Sequence, residues 1–277
     1  MQALAKDPAA RGLEDDAAVL ALGDDTLVIT HDTLVQGVHV REDEDPADIA
    51  WKLIAVNLSD LAAKGAAPIG VLVSHMLGEA DERFLAGLRT VIEAFGVPLL
   101  GGDTVRAEGR RVWGCTAIGR ATHTPVPDRR GARPGDAIYV TGTLGRAMLG
   151  LHDRGSGNAD DLAYRRPRPL LAEGRALAPL VTAMMDVSDG LLLDASRMAH
   201  ASSTRFEIDS ARVPVADRGR AGECMRWGDD YQLLFTVPEE VKIPIEAARI
   251  GTVCEGPAGV WLDGRPLAED EVLGYRH

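Results

Sequence analysis

Cysteine is scarce: Cys115, Cys224 and Cys254 are the only three in 277 residues, and they lie far apart without CxxC or Cys/His spacing. A disulfide framework or a zinc site therefore has little support, and three reduced core thiols are expected. Long apolar runs are missing too. The opening "MQALAKDPAARGLEDD" has no apolar h-region, and the most apolar stretch, "IGVLVSHML" (69 to 77), is far too short to span a bilayer. A soluble cytoplasmic protein is the expectation. Positive charge is also in deficit, with 30 Lys and Arg against 42 Asp and Glu and a net charge of -12. That balance argues against nucleic-acid and membrane partners, and it repels phosphorylated ligands unless cations intervene. Finally, neither GxxxxGK[ST] nor a GxGxxG after a strand occurs, so no nucleotide site can be argued from a glycine-rich loop.

What is present is a chain that is 45% hydrophobic, enough for one large domain or two ordinary ones, with two preferred. "AAVLAL" (17 to 22) and "TLVIT" (26 to 30), separated by "GDD", read as a hairpin. The stretch "DPADIAWKLIAVNLSDLAAKGAAP" reads as a helix with Asp45 at the N-cap, Pro46 at N1, Asp48 at N3 and Gly65 as the stop. A strand at 69 to 77, a helix at 80 to 96, a brief strand "VPLLGGDT" and a strand at 110 to 119 follow. The Pro-, Arg- and Gly-rich segment 120 to 136 is the best linker candidate, dividing the chain into 1–125 and 126–277. Beyond it come strand, helix, a polar loop at 154 to 161 that is a candidate mobile element, a helix near 170 to 181, the strand "TAMMDV", the helix "SDGLLLDASRMAHASS", the strand "RFEID" and several strands from 231 to 262. The irregular alternation predicts an α+β protein.

Several acidic residues fall at strand ends or on a core-facing helix stripe. Ile49, Leu53, Val56 and Asp60 share one helical face, which puts a carboxylate on the apolar stripe. Unpaired, it costs several kcal/mol; a cation, hydrogen bonds or a proton must offset that. In "LVITHDTLVQGVHV" Asp32 ends a strand, and it either opens a turn or grips something positive. Asp103 follows two glycines in "GGDT", where a plain turn is the simple reading. In "MMDVSDGLLLD" Asp186 ends a strand and Ser188 or Asp189 is placed to cap the next helix, whose exposed amides could receive a phosphate. Asp16 precedes the first strand. Each is explicable alone as structural. Together, converging carboxylates without Cys or paired His are what hard, oxygen-seeking Mg²⁺ requires, and the metal would bridge an acidic protein to anionic phosphates.

The run "DDAAVL…THDTLVQGVHV…DPADIAWKLIAVNLSDLAAKGAAP…GGDT…MDVSDGLLLD…GDDYQLLF" resembles the thiamine-monophosphate kinases, of the superfamily shared with aminoimidazole ribonucleotide synthetase, in register over nearly the whole chain. The resemblance implies a two-domain α+β fold whose N-terminal sheets pair across a homodimer, with ATP and several Mg²⁺ in a cleft shared by the domains. It implies transfer of phosphate from ATP to thiamine monophosphate. Carried over by position, Asp16, Asp32, Asp60, Asp103, Asp186 and Asp189 fall on metal-binding aspartates, with Thr30 and His31 beside them. Turnover is then expected to depend on Asp32, Asp60, Asp103 and Asp189. Gly102, Asp103, Arg129 and Ser188 fall on nucleotide contacts, and His39 and Asp229 on the substrate side, with Tyr275 placed to pack near the thiamine. The family's usual Thr and Glu are here His31 and Asp229, and Trp227 replaces a small residue. Two rivals stay in view: a related ATP-dependent enzyme with a different acceptor, and a non-catalytic nucleotide-binding dimer.

Overall fold

The hairpin expected at 17 to 30 is the edge of a five-stranded sheet. β1 (Ala18–Leu22) and β2 (Asp25–Val35) pair antiparallel, with Ala18 opposite Ile29. This computed structural model describes all residues except 153–160, 269–270 and 276–277; most of the candidate mobile loop at 154 to 161 thus lies outside the described residues. The rest of the first half is α1 (Pro46–Ala63), β3 (Ala66–Met76), α2 (Asp81–Phe95), β4 (Leu99–Val105) and β5 (Val112–Ala121). The strand order is β1-β2-β5-β3-β4, antiparallel except for the β3–β4 pair. The helices cover one face, where Val28, Leu53, Phe84 and Trp113 are buried in a common core.

The second half is β6 (Asp136–Val140), α3 (Arg146–His152), α4 (Asp161–Arg165), α5 (Leu171–Leu177), β7 (Ala183–Val187), α6 (Leu191–Ala201), β8 (Arg205–Ile208), α7 (Ala221–Trp227), β9 (Gln232–Pro238), β10 (Ala248–Cys254), β11 (Gly259–Leu262) and β12 (Arg265–Pro266). Among the described residues its seven strands run β12-β11-β8-β10-β6-β9-β7. Two sheets, each with helices packed on it, make the expected α+β architecture. Cys115 and Cys224 are buried and all three cysteines are free.

α1 joins the halves. Its start is built as its sequence predicts: Asp45 accepts from the Ala47 amide and Pro46 sits in the first turn, where no amide is needed. Gly65, at φ +60°, turns the chain away after its last residues. All but Pro46, Trp51 and Asp60 of its residues are buried, so the helix is enclosed on every side. Ala62 and Ala63 pack with Leu177, Met184 and Phe235 of the second half. At Gly174 a Cβ would lie 2.0 Å from the Ala62 carbonyl oxygen, so only glycine allows α5 this close. The buried charges on α1 are paired: Asp48 accepts from Arg165 at 2.7 Å and Arg166 at 2.5 Å, clamping α4 to the helix start.

One local expectation is corrected. Neither Ser188 nor Asp189 caps α6; Gly190 occupies the N-cap with no side-chain bond. The Asp194 carboxylate, one turn into the helix, takes the Asp189 amide instead at 3.0 Å. That leaves the Ser188 and Asp189 side chains directed to the cavity described next.

Candidate functional site

Asp16 enters just before β1, Asp60 stands in the last turn of α1, and Asp186 lies on β7, so three elements from both halves deliver one carboxylate each. One oxygen from each lies within 4.8 Å of the others. On β2, residues two apart share a face, and Thr30 and Asp32 both turn toward α1. The Thr30 hydroxyl donates to Asp60, while the Asp32 amide donates to Asn57 Oδ1 at 3.1 Å. These carboxylates head a cavity of about 640 Å³ between the halves.

The electrostatics are divided. Burial would raise the Asp16 carboxyl, but the Arg129 and Lys64 cations outweigh it and hold it at about 2. Arg129 bonds Asp16 directly, and buried Lys64 reaches Asp15 at 2.5 Å and Asp16 at 2.8 Å. For Asp60 burial and then the Asp32, Asp186 and Asp16 charges all push the carboxyl well above the usual range. Asp186 is pushed to about 8 by burial and the Asp16 charge, against a 2.5 Å hydrogen bond from Ser59. A hard divalent cation fits this donor set: it takes carboxylate oxygens, and it relieves the crowding that burial and like charge impose.

Along the cavity from the carboxylates come Arg129, Ser188 and Asp189, the last paired to Arg197 at 2.5 Å. At the far end His39, Asp229 and Tyr164 gather around Lys52, and Trp227 and Tyr275 also line the wall. His39 accepts the Val35 amide on Nδ1 at 3.0 Å, and the Tyr275 amide donates to the Asp189 carbonyl at 2.9 Å. Asp229 holds a left-handed backbone, φ +58°, with its amide on the Ser188 carbonyl at 2.8 Å.

Three expected residues do not join this group within one chain. His31 sits between Thr30 and Asp32 on β2, so the pleat turns it to the opposite face, where its ring meets Thr116 Oγ1 at 2.9 Å and Thr33 Oγ1 at 3.4 Å. Gly102 and Asp103 lie on exposed β4. The register runs Asp32–Cys115–Val73–Gly102 across β2, β5, β3 and β4, which places Gly102 three strand spacings, about 14 Å, from Asp32. Conversely, sequence reasoning passed over Lys52, Lys64, Tyr164 and Arg197. The signal for Lys52 was available: it sits beside Leu53 and three residues after Ile49, a charge on a helix otherwise apolar at that level.

Residues 14–121 match the AIR synthase related protein N-terminal domain, and residues 133–261 match the C-terminal domain of the same family. A thiamine-monophosphate kinase of Escherichia coli is 39% identical over 302 residues, covering 96% of this chain and 91% of its own. The solved structure of AaThiL complexed with AMPPCP and TMP superposes with a TM-score of 0.86 at 29% identity, covering 100% of this chain and 98% of that one. The solved thiamine-monophosphate kinase of Stenotrophomonas maltophilia gives a TM-score of 0.81 at 33% identity, covering 96% and 94%.

Proposed function

Since the chain belongs to the thiamine-monophosphate kinases of the AIR synthase related family, we propose that it transfers the γ-phosphoryl group of ATP directly to the phosphate of thiamine monophosphate, giving thiamine diphosphate and ADP. The observation that carries this reading is the meeting of Asp16, Asp60 and Asp186 at one end of a cavity whose other end is lined by Asp229, His39 and aromatic rings. The first end suits cation-bridged phosphates. The second suits the cationic ring system of thiamine.

Asp16, Asp32, Asp60 and Asp186, with Asp189 beyond them, would hold several Mg²⁺, and Thr30 orients Asp60 among them. Bound there, Mg²⁺ supplies the charge that lets two polyanions approach. Arg129 and Ser188 face the nucleotide phosphates. His39, Asp229 and Tyr275 face the acceptor. An oxygen of the acceptor phosphate, already anionic near neutral pH, attacks the γ-phosphorus in line as the bond to the bridging oxygen breaks, so the transfer needs neither a strong base nor a phospho-enzyme. The chain's own contribution is position: rigid β2, β7 and α1 hold the groups that hold the reactants.

The same reading divides the chain into 1–125, which supplies the metal end and the dimer contact, and 126–277, which completes the nucleotide and acceptor ends. It also pairs two chains through their N-terminal sheets. β4 is exposed along its length, its outer edge has no strand partner among the described residues, and Leu99 and Leu100 on β4 and Leu72 on the adjacent β3 are large exposed apolar residues. In such a dimer His31 and Asp103, on β2 and β4, belong with the interface. No helix among the described residues is long and apolar enough to cross a membrane, and a cytoplasmic setting completes the proposal.

Mixing the protein with ATP, Mg²⁺ and thiamine monophosphate and resolving the products by chromatography tests it. Thiamine diphosphate and ADP in equal amounts are expected. ADP only with another acceptor would move the reading to a related enzyme, and ATP binding without turnover of any acceptor would make the chain a nucleotide-binding dimer.

A further inference from the structure

Lys52 is 2% exposed in the middle of α1, yet its ammonium reaches the acceptor end of the cavity. It lies 2.8 Å from Asp229 Oδ2, 3.3 Å from the His39 carbonyl oxygen, and 4.0 Å from the centre of the Tyr164 ring. An ammonium has three donors. Two are spent on oxygens and the third points into an aromatic face, so this cation is saturated by the protein and has no donor left for a ligand phosphate.

Its effect must then pass through Asp229. That carboxylate is held at both oxygens, by Lys52 on Oδ2 and by the Tyr231 hydroxyl on Oδ1 at 2.9 Å. Its backbone, in the left-handed region at φ +58°, is pinned by the Ser188 carbonyl. The Asp229 side chain is still 28% exposed, toward the cavity. A carboxylate with two clamped oxygens and a fixed backbone can present its remaining lone pairs in one direction only.

Resting on the kinase reading above, we infer that Lys52 is a positioning residue for the acceptor: it aims Asp229 at the N–H groups and cationic ring of the thiamine moiety and touches neither phosphate. Four segments meet at it, α1, the loop carrying His39, α4 and the loop before β9, so the acceptor pocket is assembled around a single ammonium. Because Lys52 stands on a buried helix, the aim is fixed before the acceptor arrives.

The test is steady-state kinetics of Lys52→Met, Asp229→Asn and the double variant, with KM taken separately for each substrate. Lys52→Met should raise the thiamine monophosphate KM at least about tenfold, the effect of about 1.4 kcal/mol, while the ATP KM stays within about twofold and kcat changes less than the acceptor KM. In the Asp229→Asn background the same substitution should add little. Equal increases in both KM values, or additive losses, would overturn the inference. If Lys52→Met does not fold, Tyr231→Phe releases the other oxygen of Asp229 and should raise the acceptor KM in the same direction; an unchanged value there overturns it as well. A wild-type protein that makes no thiamine diphosphate refutes the parent reading and this one together. An active wild type that Lys52→Met matches refutes this one alone.

Discussion

The crowding of Asp60 and Asp186 makes stability and metal binding depend on pH in a calculable way. Asp186 titrates at about 8 in the metal-free fold, against about 3.9 in an unfolded chain. A carboxyl raised in the fold contributes stability that is complete below about pH 4 and is lost as pH rises through about 8. Across pH 5 to 7 the folded protein keeps this proton and the unfolded chain does not, so the contribution falls by about 3 kcal/mol over the two units. Asp60 is raised in the same sense, and Asp194 and Asp230, each at about 7, add to the fall. Asp16, lowered to about 2, acts in the opposite sense but only below about pH 4, outside the window. Scanning calorimetry with a chelator at pH 5, 6 and 7 should therefore show Tm dropping as pH rises. Asp186→Asn removes one group's share, so its drop should be smaller by about 6–12 °C at about 2–4 °C per kcal/mol. Mg²⁺, which needs the deprotonated carboxylates, should raise Tm more at pH 8 than at pH 5. A metal-free Tm that is flat or rising from pH 5 to 7, or an Asp186→Asn profile as steep as the wild type's, would refute the reasoning.

Asp32→Asn should cut turnover at least about 100-fold, the scale of losing a group that organises transition-state charge, with Tm within a degree or two of wild type; full activity in that variant would remove Asp32 from the site. Leu100→Asp, on the exposed face of β4, should shift the sedimenting species from dimer to monomer, and a wild type that sediments as a monomer would end the dimer proposal. Gly174→Ala forces a Cβ to within 2.0 Å of the Ala62 carbonyl and should lower stability by about 1–3 kcal/mol in urea titration; a change under about 0.5 kcal/mol would show that α5 can shift away from α1 at little cost.

Much of this was legible in the residues. α1 is announced by Asp45, Pro46 and Gly65, and the structure uses each in its expected place. Asp60 was readable as turned toward the core because it continues the Ile49, Leu53, Val56 stripe, and Asp186 as buried because it ends an apolar strand. Other features rest on long-range pairing that local pattern cannot carry. Lys52 finds Asp229 across 177 positions, and Asp48 finds Arg165 across 117. Asp103 lies away from Asp32 because two strands, β5 and β3, come between β2 and β4, and strand order is a property of the whole fold. His31 is different. The two-residue period that joins Thr30 to Asp32 already excludes it from their face, so that information was local and the family pattern obscured it. The helix cap at Ser188 failed because α6 begins at Leu191, which puts Gly190, a residue without a side chain, in the cap position.

The enclosure of α1 has a consequence for what the pocket can accept. Lys52 and Asp60 stand eight residues apart on that helix, about 12 Å along its axis at 1.5 Å per residue. The acceptor end and the phosphate end of the proposed reaction are thus two marks on one rod. A loop can lengthen and a lid can swing, but a hydrogen-bonded helix packed on all sides keeps its graduations. On the proposed reaction the acceptor would be measured from ring to phosphate against that rod, and an acceptor of another length would have to be met by the walls, since the rod cannot be rescaled.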